Sequence, residues 1–187
     1  MRPSVIATLA AREVATFAEF AEFAYRTVKG SEGREAREIY FYIHSFLGHT
    51  ATIAQLLWSK PLAEEEDGQL LAELLGVPAD LEISKPTVRK KVRRHDRWLA
   101  EALERRGEAN KILDYNIGDR DAFEEENTYF LRHYDPTVDT LTMFEEEIDL
   151  ARLAAEVSEV KERAETWLAS NAMLADRPAE ISIPPGE

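Results

Sequence analysis

From Glu35 to Trp58 the chain reads EAREIYFYIHSFLGHTATIAQLLW, its longest strongly apolar stretch. Wound as a helix, the segment is apolar on most of its faces, which predicts the element at the middle of a bundle. Its length nearly suffices to span a bilayer, but His44, Ser45, His49, Thr50 and Gln55 would need polar partners there. A buried central helix is therefore expected, and Pro61 prevents its continuation.

Upstream, Ile6, Leu9, Ala10, Val14, Phe17, Phe20, Phe23, Ala24 and Val28 recur at helical spacing over Ser4–Val28, with Gly30 as a stop. Downstream, Ala63–Asp67 reads as an acidic connection and Gly68–Leu75 as a short helix closed by Gly76 and Pro78. Ser84 is placed to N-cap a third long helix that runs to about Arg106, with Pro86 tolerated in its first turn. Residues 108–126 show no period. Tyr129–Tyr134 and Val138–Phe144, rich in aromatic and β-branched residues, flank Asp135-Pro136-Thr137 and predict a β-hairpin over about 128–144. Asp149 caps a last helix marked by Leu150, Leu153, Val157, Val160, Ala164, Trp167 and Leu168.

The expected fold is mainly α: an antiparallel bundle of four long helices plus one short helix, with a small β-hairpin inserted before the last helix. Residues 1–175 form a single domain in this reading, and 176–187, with three prolines, a loosely ordered tail.

A length of 187 residues, 44% of them hydrophobic and 32% charged, fits one well-packed core. The absence of cysteine excludes disulfides, thiolate metal sites and cysteine nucleophiles, and fits a reducing cytoplasm. Glu13, Glu19 and Glu22 interrupt the N-terminal apolar residues, unlike a signal peptide, and no membrane span is expected.

On a chain of net charge -13, the segment Arg89-Lys90-Lys91-Val92-Arg93-Arg94-His95-Asp96-Arg97 is a dense basic cluster. At roughly 100° per residue, Val88, Val92, His95, Leu99, Ala102 and Leu103 share one stripe, with Lys90, Arg93, Arg94 and Arg97 toward the opposite face. His95 is then either a packed histidine under a solvated basic face, or a general base or acid with Arg89 or Lys91 steadying an oxyanion or phosphate. Lys90, Lys91, Arg93, Arg94 and Arg97 are the candidate binding residues for nucleic acid or an acidic partner.

An arginine followed by histidine after five residues, as in Arg89 to His95, resembles the HEPN superfamily. Arg37-Glu38-Ile39-Tyr40, His44-Ser45-Phe46-Leu47-Gly48-His49, Leu56-Leu57-Trp58, Arg89–Asp96 and Arg132-His133-Tyr134-Asp135-Pro136 resemble a bacterial helical group related to it, over most of residues 35–170. That resemblance implies a dimeric helical bundle and, in many members, a metal-independent ribonuclease whose paired Arg and His here are Arg89 and His95. The chain departs from the pattern: Lys90 stands where Asn, Asp or His is usual, and matching on Asp96 puts Arg94 at the histidine's place. Both departures read as a degenerate motif.

His44 and His49, five residues apart, lie about 140° from each other on a helix, a poor spacing for one metal. A three-histidine site drawing on His44 or His49, His95 and His133 would resemble the DinB-like bundles, but their paired-histidine motif is missing. The runs Glu64–Asp67, Glu124–Glu126 and Glu145–Glu147 read as solvated surface. No cofactor or metal is expected.

Three functions follow: a non-catalytic dimeric interaction or regulatory module, a metal-independent ribonuclease using Arg89 and His95, and a DinB-like metalloprotein. The first is favoured by the irregular motif and acidic surface. Phe17, Phe20, Phe23, Tyr40, Phe41 and Tyr42 exceed what one small core needs, which predicts a helix-helix homodimer. RNA is the other partner class to test.

Overall fold

The structure, a computed structural model, describes residues 5–58, 70–85, 100, 104, 111–123, 128–143 and 146–171. Helices α1 (Val5–Lys29) and α2 (Ala36–Trp58) are followed by the short α3 (Leu71–Leu74) and a single 3-10 turn at Glu82–Ser84. Six strands come next: β1 (Lys111–Leu113), β2 (Asn116–Ile117), β3 (Thr128–Phe130), β4 (Arg132–Asp135), β5 (Thr140–Met143) and β6 (Glu146–Asp149). Helix α4 (Leu150–Ser170) closes the described part.

The expected antiparallel bundle of four long helices with a small hairpin is not what forms. Among the described residues three helices are long, and the strands make a two-stranded sheet, β1-β3, and a four-stranded sheet in the order β2-β4-β5-β6. The antiparallel pair β4 and β5 is thus the middle of a sheet, with β2 added in parallel on one side and β6 antiparallel on the other. Strands of two or three residues, such as β1 and β2, are too short to show alternation in sequence. Strand β6 hides within the acidic run because Ile148 is its one buried residue. Residues 86–106, read as the third long helix, lie almost wholly outside the described residues, as does the tail from 172 onward.

Helix α1 packs against both α2 and α4, so α1 rather than α2 is the middle helix of the described layer. Its buried face is Ala7, Ala11, Val14, Ala18, Ala21, Ala24 and Val28. Such small side chains let helix axes approach closely, and they leave the large apolar residues of α1 for its flanks. Across the four-stranded sheet, Ile117, Tyr134, Leu141 and Ile148 stand in register and join the helices in one hydrophobic core.

Polar ties fix the helices to what surrounds them. Lys161 Nζ donates to Glu22 Oε2 across α1 and α4 at 3.0 Å. Glu156, itself buried, accepts from the Ile83 amide at 3.0 Å, satisfying a buried donor of the 3-10 turn. Asp149 caps α4 by accepting from the Arg152 amide at 2.8 Å. No described helix is long and apolar enough to cross a membrane.

Candidate interaction surface

Because alanines occupy its buried face, α1 turns large apolar groups outward. Val5 is 61% exposed, Leu9 54%, Phe20 49% and Phe23 60%, with Ile6 beside them. Contiguous apolar surface of this kind on an otherwise charged protein marks a site of association rather than a random leftover. Phe20 is steadied from below: its ring centroid lies 6.2 Å from Phe17 and 5.5 Å from the His49 imidazole of α2. Phe17 stands 5.8 Å from the same imidazole, and burial lowers the pKa of His49. His49 is therefore a neutral packing element beneath the aromatic patch. Phe41 of α2 is also exposed, with its ring against Tyr42.

The inner end of α1 is anchored by Asp139. Its carboxylate accepts from the Tyr25 hydroxyl and, at 2.7 Å, from the Tyr134 hydroxyl, with Lys29 Nζ 3.3 Å away. Burial and the neighbouring carboxylate push the pKa of both tyrosines up, so each stays a donor. Asp139 has φ 55, a left-handed conformation that Asp tolerates better than most residues, and its carbonyl accepts from Leu150 at the start of α4. One residue thus ties α1, the β4–β5 turn and α4 together.

Beside this anchor is a cavity of about 440 Å³ lined by Lys29, Arg34, Ile39, Ile117, Tyr134 and Pro136 among others. Its polar lining is engaged: Lys29 and Tyr134 with Asp139, and Arg34 with Glu38.

A second cluster lies where β2 meets β4. Arg132 donates through Nε to Asp114 Oδ1 at 2.7 Å and through Nη2 to Oδ2, a bidentate pair. The guanidinium sits 3.9 Å from the centroid of Tyr115, whose φ is 57 and whose ring meets Tyr40 edge-on at 5.0 Å. Tyr40 donates to the Asn116 carbonyl at 2.8 Å. On the opposite sheet face His133 is fully buried, between Phe130 at 4.9 Å and Phe123 at 5.7 Å. Neither of its ring nitrogens has a hydrogen-bond partner, nor have Asn116 Nδ2 and Arg120 Nε. A Cβ on Gly118, where φ is 143, would press on the Phe123 ring at 3.1 Å, so glycine there lets that ring close in.

Arg89, Lys90, Lys91, Arg93, Arg94, His95 and Arg97, the catalytic and binding candidates from sequence, all lie outside the described residues. His44 and His49 are on α2 and His133 is in β4, within the sheet. Among the described residues no group of three or more His, Cys, Asp or Glu is placed to hold a metal ion. The apolar positions of α1 were visible in sequence as part of a core stripe. What sequence missed is that alanines would take the interior side. No family model, no curated protein and no solved structure matches the chain.

Proposed function

We propose that this protein is a non-catalytic interaction module that docks a protein partner on the outer face of α1. The observation that carries this reading is the exposure of Val5, Leu9, Phe20 and Phe23 along one side of a helix whose opposite side is packed into the core. Exposing four such groups costs solvation free energy, about 25 cal/mol per Å² of apolar surface, which a docked partner recovers. The test is the pair of substitutions Phe20→Glu and Phe23→Glu. Both should leave the melting temperature nearly unchanged, because the residues are exposed, while complexes formed by the wild type disappear. A large loss of stability would make these residues part of the fold, and unaltered association would remove α1 from the interface.

The dense basic segment Arg89–Arg97 favours a second reading, the HEPN-like metal-independent ribonuclease. In that reading Arg89 stabilises charge and His95 moves the proton as the RNA 2′-hydroxyl attacks its own phosphate. Cleavage of a mixed RNA pool in EDTA by the wild type, absent in His95→Ala, supports it. No cleavage by either removes it.

A further inference from the structure

The spacing of the outward residues of α1 is self-complementary. We infer that the partner of this face is a second copy of the chain, with the two α1 helices antiparallel about a two-fold axis beside Val14 and Ala15. This rests on the reading of the α1 outer face as a docking surface and names its occupant.

At roughly 100° per residue, Val5 and Phe23 share one angular position, five full turns apart, and Leu9 and Phe20 lie within about 20° of each other beside them. The two pairs are centred at nearly the same point of the helix. An antiparallel copy therefore brings Leu9 of one chain onto Phe20 of the other, and Val5 onto Phe23, each contact made twice. That equivalence is the requirement of an isologous interface.

The charges agree. Arg12 and Glu19 are both exposed and lie at closely similar angles on the flank of the apolar face. In the same antiparallel arrangement, Arg12 of each copy falls beside Glu19 of the other, separated along the axis by roughly 3 Å of helix rise. Seven residues apart on one helix, Arg12 and Glu19 of a single copy are out of reach of each other. The match thus has meaning only between chains.

The size is sufficient for a weak dimer. Val5, Leu9, Phe20 and Phe23, each half or more exposed, offer on the order of 500 Å² per copy. Two copies bury about 1,000 Å², the lower range for a specific interface. Association should accordingly depend on concentration, at an ionic strength high enough to screen the net charge of -13 on each chain.

The experiment combines light-scattering mass with engineered cysteines, which the cysteine-free sequence makes unambiguous. Expected are a monomer–dimer equilibrium for the wild type, a dissociation constant raised several-fold by Arg12→Glu or by Glu19→Arg alone, and its return to within about twofold in the double variant. Mixed Leu9→Cys and Phe20→Cys chains should form a disulfide between positions 9 and 20, whereas Leu9→Cys alone should not dimerise through 9. Three results would overturn the inference: a wild type monomeric throughout the concentration range, a 9–9 disulfide in preference to 9–20, or no restoration by the charge swap. A monomeric wild type whose Phe23 still cross-links to a different protein would sink self-docking while leaving the docking face itself intact.

Discussion

The hydroxyl of Tyr25 donates a hydrogen bond to Oδ2 of Asp139, a residue 114 positions further along the chain. Through this contact the helix that presents the docking face is held in place by the β4–β5 turn. Asp139 also receives the Tyr134 hydroxyl and the Lys29 ammonium, so its carboxylate collects three donors at a site only 6% exposed.

Asp139→Ala should therefore destabilise the protein by about 2–4 kcal/mol, since it leaves buried donors unsatisfied. For a chain of this length that is a fall in melting temperature of about 5–12 °C. Asp139→Gly relieves the left-handed backbone but still removes the acceptor, so it should destabilise nearly as much. Thermal denaturation of the two variants decides between carboxylate and backbone. A Gly variant as stable as the wild type would assign the role of this position to its φ alone.

Arg132→Lys should cost about 1–2 kcal/mol, because an ammonium cannot reproduce the bidentate fork to Asp114 or lie flat on Tyr115. Urea denaturation of Arg132→Lys, Tyr115→Leu and the double variant measures the coupling. Losses that simply add would show that the 3.9 Å stacking contributes nothing of its own.

Burial lowers the pKa of His133, with the Asp135 charge opposing it. An imidazole whose folded pKa lies below its unfolded value, about 6.5, gives its full contribution above that pH. The contribution is lost as pH falls toward the folded value, because the unfolded chain takes up the proton first. The wild type should thus lose more stability between pH 7.5 and 5.5 than His133→Phe, in which an aromatic ring sits between Phe123 and Phe130. At pH 7.5 the variant should be neutral or stabilised by up to about 2 kcal/mol, since two unpartnered nitrogens leave the interior. Melting curves at the two pH values test this, and parallel losses would place His133 outside the acid response.

How much of this was legible in the sequence differs by element. Helices α1, α2 and α4 lie close to where a 3.6-residue period and the Asp149 cap place them, because each buries a continuous stripe. The same period could not say which side of α1 faces inward. Phe20 and Phe23 weigh as core in any hydrophobic count, yet alanines at 7, 11, 18, 21 and 24 pack the closer interface. The sheet was half legible. Tyr134 and Leu141 announce β4 and β5, but β2 is only Asn116 and Ile117, and it exists because its parallel partner β4 is already placed. Contacts between residues distant in sequence, such as Tyr25 with Asp139, leave no periodic trace. The basic segment, prominent in sequence, lies outside the described residues.

The most direct test of the α1 docking face is site-specific photo-crosslinking in cells. Benzoylphenylalanine replaces Phe23 in one variant and Glu159 of α4 in another, the latter away from the α1 outer face. A discrete protein adduct from position 23, absent at 159 and abolished by Phe20→Glu, is the result predicted, and a second copy of the chain should be the species captured. No adduct at 23, or equal adducts at 23 and 159, would contradict the assignment of α1 as the interface.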